Sequence, residues 1–235
     1  MSDHAVILHP GSSAMFAAPG RRRTSGESLA EAAYARIREM IIALELAPAS
    51  LVDERALAER LGLGLTPVRQ ALRRLEWENF VVILPRRGTL VADMNREDLG
   101  RIFELRSELE SLAARLAASN ASPEEIAAMR AILRRTADAL ASGRDDPRRL
   151  IELDRELHRA VAVASGNHML ERTLEWLYGH VLRLWNVSLD EVPGLAAAVG
   201  AHEVLVDAIE RGEGDRSAEL MRAHVGHFQT TFARL

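Results

Sequence analysis

The sequence predicts a mainly α-helical protein in two parts: a small N-terminal α+β domain and an all-α bundle of six or seven helices. Three observations lead there. Ala, Leu and Arg dominate the 235 residues while aromatics are only 4%, a mixture that favours helix. Two β-branched runs, "FVVILP" and "GTLVADM", flank "RRG" and read as one two-stranded hairpin with a basic tip. From Asn95 onward apolar residues recur at helical spacing, and the breaks between segments are turn-rich. The expected boundaries are a disordered tail over 1–26, the α+β domain over 27–94 and the bundle over 95–235.

Composition excludes several classes. There is no cysteine, hence no disulfide framework and no thiolate metal site. No apolar run approaches the roughly 20 residues that span a bilayer. The N-terminal stretch puts an acid first and its arginines after a weak apolar run, the wrong order for a secretory signal. A cytoplasmic protein without membrane partners is expected. All 30 basic residues are arginine, which reads as codon bias. Their distribution is uneven. Residues 1–90 hold 12 Arg against 10 acids (+2), and residues 96–235 hold 18 against 23 (−5). Within 65–90 the count is 5 against 2 (+3). A basic N-terminal part on an acidic body implies two domains with different partners.

The first helix is expected over 27–46, where Leu29, Ala33, Ile37, Met40, Ile41 and Leu44 share a face, with Pro48 ending it. The second follows Asp53 as N-cap and stops at Gly62. The third, "LTPVRQALRRLEWEN", takes Thr66 as cap and Pro67 at its first position. Leu72 and Leu75 face inward, with Trp77 a candidate for the same side. Three short helices and a basic-tipped hairpin describe a winged helix-turn-helix, in which the third helix enters the DNA major groove. Its outer face carries Thr66, Arg69, Gln70 and Arg73. Arg suits guanine and Gln adenine. Arg86 and Arg87 in the wing can take phosphate or a minor groove, and Gly88 allows close backbone approach. The competing reading is a solvated face in which these arginines pair with Glu76 and Glu78.

The stretch "LVDERALAERLGLGLTPVRQALRRLEWENFVVILPRRGTLV" resembles the DNA-binding domain of GntR-type bacterial transcriptional regulators. The resemblance covers about 34–93. It implies that Arg55, Thr66, Arg69, Arg87 and Gly88 match positions that contact operator DNA. The family commonly has a Ser/Thr-Arg pair before Thr-Pro, where this chain has Gly64-Leu65. Leu65 cannot make a bidentate guanine contact, and a thymine methyl is one substitute target.

Six bundle helices are expected, over 96–120, 123–142, 146–165, 168–189, 194–211 and 215–234. In the third, Asp154 and His158 stand four apart on one face, in line with Leu150 and Val161. A carboxylate pointed into a bundle needs a partner. His202 lies in line with Leu195, Val199, Val206 and Ile209, and His224 with Met221 and Phe228. One Asp and three His on inward faces suit a divalent metal, zinc with nickel or copper as alternatives. The competing reading is a set of hydrogen-bonded core histidines, and His227 competes with His224. Arg106 lies in line with Ile102, Leu109 and Ala113; a buried arginine needs an anion, supplied by an effector or by Glu110 or Asp154. Trp176, His180, Arg183 and Val187 share a face that can line the same cavity or meet a dimer surface.

"DRELH…SGN" followed by "AHEVLVDAIERGEGDRSAELMRAHV" is similar to the FCD ligand-binding domain attached to many GntR-type regulators. All four polar positions of the family pattern match: Asp154, His158, His202 and His224. Leu157 replaces the usual Phe. The resemblance spans about 95–230 and implies a bundle holding a divalent metal, zinc or nickel, beside a pocket for a small organic acid. Arg106 and Glu110 match its recurrent Arg-x-x-x-Glu pattern. A count of six helices implies the shorter, vanillate-regulator-like branch. The expectation is a homodimeric transcriptional regulator, a repressor by preference, binding double-stranded operator DNA. A small carboxylate effector, held by the metal with Arg106 and Arg183, controls it. The rivals are a metal-dependent enzyme using the Asp/His site to activate water and a metal-free dimerising regulator.

Overall fold

The computed structural model describes residues 28–93, 96–142, 147–188 and 202–232. The expected tail and residues 194–201 of the fifth bundle helix lie outside them. The chain divides after Asp93 into two compact units.

The first unit holds α1 (Leu29–Ile42), β1 (Leu51–Val52), α2 (Glu54–Leu61), α3 (Leu65–Trp77), β2 (Val81–Leu84) and β3 (Gly88–Val91). A capping box starts α1: Ser28 Oγ accepts from the Glu31 N–H and Glu31 answers on the Ser28 N–H, both at 3.1 Å. The helix stops short of the expected 46. Leu44 takes a left-handed φ of 61°, and the Leu46 N–H closes onto the Met40 carbonyl at 3.1 Å. Asp53 caps α2 as expected, accepting the N–H groups of Arg55 and Ala56 at 2.9 and 3.0 Å. Gly62 at φ 65° ends it, a conformation that costs a Cβ-bearing residue energy.

Two expectations for α3 need correction. The N-cap is Gly64, with no side-chain cap, so Thr66 and Pro67 fall at the second and third helical positions. Pro67 is still tolerated, because the N–H it lacks belongs to the unpaired first turn. Trp77 is 86% exposed, whereas Val68, Ala71, Leu72 and Leu75 form the buried stripe. Trp77 lies two residues beyond Leu75, about 200° around the helix and so on the far side. The hairpin gains a third strand: β1 pairs with β3, giving an antiparallel sheet of order β1-β3-β2. A two-residue strand is too short for alternation to announce it.

The second unit holds α4 (Arg96–Asn120), α5 (Pro123–Ala141), α6 (Pro147–Ala164), α7 (His168–Ser188), α8 (His202–Glu210) and α9 (Gly214–Phe232). No strand occurs among its described residues. Long α4 runs antiparallel to α9, tied by Arg222–Glu108 at 3.0 Å and Arg115–Asp215 at 2.9 Å. Ala113, Ala114 and Ala117 on α4 are fully buried and let helices approach closely. Ser122 and Glu125 form a capping box at α5, with Pro123 in its first turn. The core joins Phe103, Met129, Leu153, Leu157, Val161, Leu177, Val206 and Val225. Among the described residues no helix is long and apolar enough to cross a membrane.

Candidate metal centre and nucleic-acid interface

In α6, Asp154 and His158 interrupt a face otherwise built from Leu150, Leu153, Leu157 and Val161, and all six are buried. The bundle brings α8 and α9 against that face. His202 and His224 thereby join Asp154 and His158 in one buried group whose ligand atoms lie within 4.8 Å of one another. Nε2 of His224 is 3.0 Å from Nε2 of His158 and 3.1 Å from that of His202. Asp154 Oδ1 sits 3.5, 3.4 and 3.6 Å from the Nε2 atoms of His158, His202 and His224. His227 is exposed, while the His224 side chain is only 6% exposed, which decides between the two.

Neighbouring side chains orient this group. His158 Nδ1 meets Glu110 Oε2, and Arg106 Nε donates to the other Glu110 oxygen at 2.6 Å. Tyr178 on α7 donates its hydroxyl to Asp154 Oδ2. The Arg106 guanidinium lies over the Tyr178 ring, 4.8 Å from its centroid. These contacts close a ring of five buried polar side chains. Burial pushes Glu110 up, but Arg106 and His158 outweigh it and hold the carboxyl down at about 2. Burial likewise opposes ionisation of Asp154, yet His158, His224 and His202 hold it well below the usual range. Burial lowers His158, and Glu110 and Asp154 overcome this to raise it to about 9. Burial, then the charge of His224, keeps His202 neutral, down at about 3. Burial also lowers His224.

The donor set fits a divalent cation. Asp154 Oδ1 is buried and accepts no hydrogen bond among the described residues. Three imidazole nitrogens crowd around it. Four donors bonded at about 2.0 Å in tetrahedral array stand about 3.3 Å apart, and the five distances above bracket that value. Glu110 on His158 Nδ1 selects the tautomer whose Nε2 lone pair faces inward, the usual outer-shell arrangement for a metal-bound histidine.

Arg106 is 3% exposed and Arg183 1% exposed. Apart from the Nε bond to Glu110, Arg106 makes no hydrogen bond among the described residues. Trp176 and His180 meet edge to face at 5.8 Å, and His180 is buried. A small, solvent-open pocket lies beside the cluster. It is lined by Glu110, His158 and Tyr178 within and by Arg155, Arg159 and Glu171 towards its mouth. Neither Arg106 nor Arg183 lines it. Tyr178 belongs to none of the motifs visible in the sequence. Its signal was the inward stripe Leu174, Tyr178, Val181, Trp185, where a buried hydroxyl requires a partner.

In the first unit, Arg55, Thr66, Arg69, Gln70, Arg73, Arg86, Arg87 and Gly88 are all exposed. Thr66, Arg69, Gln70 and Arg73 lie within the first nine residues of α3, opposite its buried stripe. Pro85, Arg86 and Arg87 form the wing turn: Arg86 has φ 63°, and the Arg87 N–H donates to the Leu84 carbonyl at 3.0 Å. Gly88 follows at φ 97°, where a Cβ would also approach Leu51 Cδ1 to 3.2 Å. Arg69 pairs with Glu54 of α2 at 2.7 Å, not with Glu76 or Glu78. Arg74 makes an i,i+4 contact with Glu78 at 3.2 Å and stacks 3.6 Å over Tyr34. Tyr34 in turn donates to Glu78 at 2.7 Å, and burial with that bond pushes its hydroxyl up to about 12. Arg74 therefore clasps α1 to α3, while Arg69 and Arg73 point outward.

A three-helix unit with an exposed arginine-bearing third helix and wing, followed by a bundle with a buried Asp/His centre, is the build of a DNA-binding protein with a separate helical domain. Residues 29–91 match the gntR family of bacterial regulatory proteins, and residues 101–227 match the FCD domain. The chain belongs to the GntR family with an FCD domain, and is a transcriptional regulator rather than an enzyme. It is 29% identical over 206 residues to an HTH-type transcriptional regulator from an unstable DNA locus of Streptomyces ambofaciens, covering 86% of this chain and 84% of that one. It is 27% identical to the HTH-type transcriptional repressor GlaR of Escherichia coli, covering 82% and 90%. The solved structure of Escherichia coli McbR/YncC superposes with a TM-score of 0.76 at 22% identity, over 88% of this chain and 98% of that one, which shows the fold.

Proposed function

We propose that this protein is a homodimeric repressor whose hold on operator DNA is set by a small carboxylate bound beside a divalent metal in the bundle. The observation that carries the reading is Asp154 Oδ1, buried without a hydrogen bond among the described residues and facing three Nε2 atoms. Asp154, His158, His202 and His224 hold the metal, zinc by preference and nickel as the alternative. The metal supplies a Lewis-acid position for an anion. Charge supports the class of effector. Metal-bound histidines are neutral, so Arg106, Glu110, Asp154 and a dication sum to +1. One buried carboxylate balances that sum, and a buried charge left uncompensated is costly. Arg106, with nitrogens to spare, is the side chain we assign to receive it, with buried Arg183 as the second candidate. The relative GlaR is named a repressor, which supports that sign of regulation.

In the first unit, Thr66, Arg69, Gln70 and Arg73 reach base edges while Arg55, Arg86, Arg87 and the Gly88 backbone take phosphate or minor groove. The effector regulates only through its differential affinity for DNA-competent and DNA-incompetent states.

The test is elemental analysis of chelator-free protein beside Asp154→Ala and His202→Ala. About one zinc or nickel per chain in the wild type, lost in both variants, is the expected result. No metal in the wild type would sink the metal centre. Gel retardation of DNA from the protein's own gene neighbourhood, with and without added carboxylates, tests the regulatory half.

A further inference from the structure

We propose that Tyr178 sets the coordination mode of Asp154, reserving one carboxylate oxygen so that the acid meets the metal through Oδ1 alone. The inference rests on the metal reading above and concerns a residue outside the ligand set.

The two oxygens of Asp154 have different surroundings. Oδ2 accepts the Tyr178 hydroxyl. Oδ1 accepts no hydrogen bond among the described residues and stands 3.4–3.6 Å from three imidazole nitrogens. An ionised carboxylate with both oxygens open can chelate a cation through both. A donor fixed on one oxygen competes with a cation for that oxygen's lone pairs and draws off its charge, which disfavours chelation. Tyr178 is well held for that task. It is 5% exposed, stacks beneath the Arg106 guanidinium, and lies 5.7 Å from the His158 ring between centroids. Its hydroxyl is committed to Asp154 across 24 residues of sequence, from α7 to α6. Glu110 plays the matching part on the other side by holding His158 Nδ1.

The consequence is one donor fewer around the metal. A bidentate Asp154 with three histidines would supply five donors; a monodentate one supplies four. Tyr178 also walls the pocket that reaches His158 and Glu110. An incoming carboxylate would then add a fifth donor rather than a sixth.

Tyr178→Phe in the full chain removes one oxygen atom and little volume. Three readouts accompany it: metal affinity by competition with a chromophoric chelator, the visible spectrum of the cobalt(II)-loaded protein, and melting of the metal-free protein. The variant is expected to bind metal about 10- to 100-fold more weakly, the usual penalty for an outer-shell partner. Its cobalt bands should weaken and shift towards higher coordination, while the metal-free melting temperature stays within a few degrees. Asp154→Ala, which should come through purification without metal but can be loaded at high metal concentration, serves as the second background. If Tyr178 acts through Asp154, adding Tyr178→Phe to Asp154→Ala changes the residual affinity no further. A Tyr178→Phe spectrum and affinity matching the wild type overturn the proposal, as does a full additional loss in the Asp154→Ala background. Wild-type protein that binds no metal overturns the underlying metal reading instead.

Discussion

The Arg106–Glu110 pair and the Arg69–Glu54 pair are both charge-assisted bonds of similar length, 2.6 and 2.7 Å, yet they differ in what they hold together. The first is buried, with both side chains 4% exposed. Removing Glu110 strands a guanidinium in the bundle and frees His158 Nδ1. Glu110→Ala should therefore cost about 3–5 kcal/mol, read as a lower urea midpoint at unchanged slope, and Glu110→Gln less. Arg69 is 62% exposed, so its pairing is screened by water. Glu54→Ala should change stability by less than about 1 kcal/mol in the same titration. An exposed arginine that weakly held is free to exchange its carboxylate for a phosphate. A stability loss at Glu54 rivalling that at Glu110 would contradict the contrast.

Helix α3 shows how one element serves two masters. Its buried stripe, Val68, Ala71, Leu72 and Leu75, packs against α1 and the sheet, and its opposite face stays free for a partner. Leu75→Ala should leave a cavity and cost about 2–5 kcal/mol. Trp77→Ala, despite the larger deletion, should stay within about 0.5 kcal/mol, because its ring is 86% exposed. Thermal melts of the two variants decide this; a large loss at Trp77 would mean that the ring is covered in the assembled protein. The same geometry explains why the periodicity of α3 located the core but misplaced Trp77. Leu72 and Leu75 fix the stripe, and a residue two positions on cannot share it. The wing shows the complement: Pro85, positive φ at Arg86 and Gly88 at 97° shape a turn that presents two arginines.

For the chain as a whole, two measurements join the units to their partners. On operator DNA, each phosphate contact contributes about 0.9 to the slope of log affinity against log salt. Arg87→Ala should weaken binding to all sequences and lower that slope by about 1. Arg69→Ala or Gln70→Ala should instead reduce discrimination between operator and random DNA, by about 1–3 kcal/mol for a bidentate base contact. Retardation assays over a salt series separate the two. In the bundle, stripping the metal should lower the melting temperature, since a ligand at a thousand times its Kd stabilises the native state by about 4 kcal/mol. Asp154→Ala should melt near the stripped wild type and respond little to chelator. Equal melting with and without chelator in the wild type would remove the metal from the account.

Patterns of near neighbours carried the sequence reading. Helical spacing, Asp53 and Gly62 at the ends of α2, and the Arg-Arg-Gly turn all depend on residues within a few positions of one another. So does the i,i+4 pairing of Asp154 with His158, since helix geometry alone puts both on one face. Contacts across the bundle were another matter. That His224 rather than His227 turns inward, that Glu110 reaches His158 from 48 residues away, and that Tyr178 takes one oxygen of Asp154 follow from how α4, α6, α7 and α9 pack. Local periodicity gives each helix a face. Which faces meet, at what height along their axes, is fixed only when the helices exclude water from a shared interior, and there a buried carboxylate must find whatever partner the packing brings.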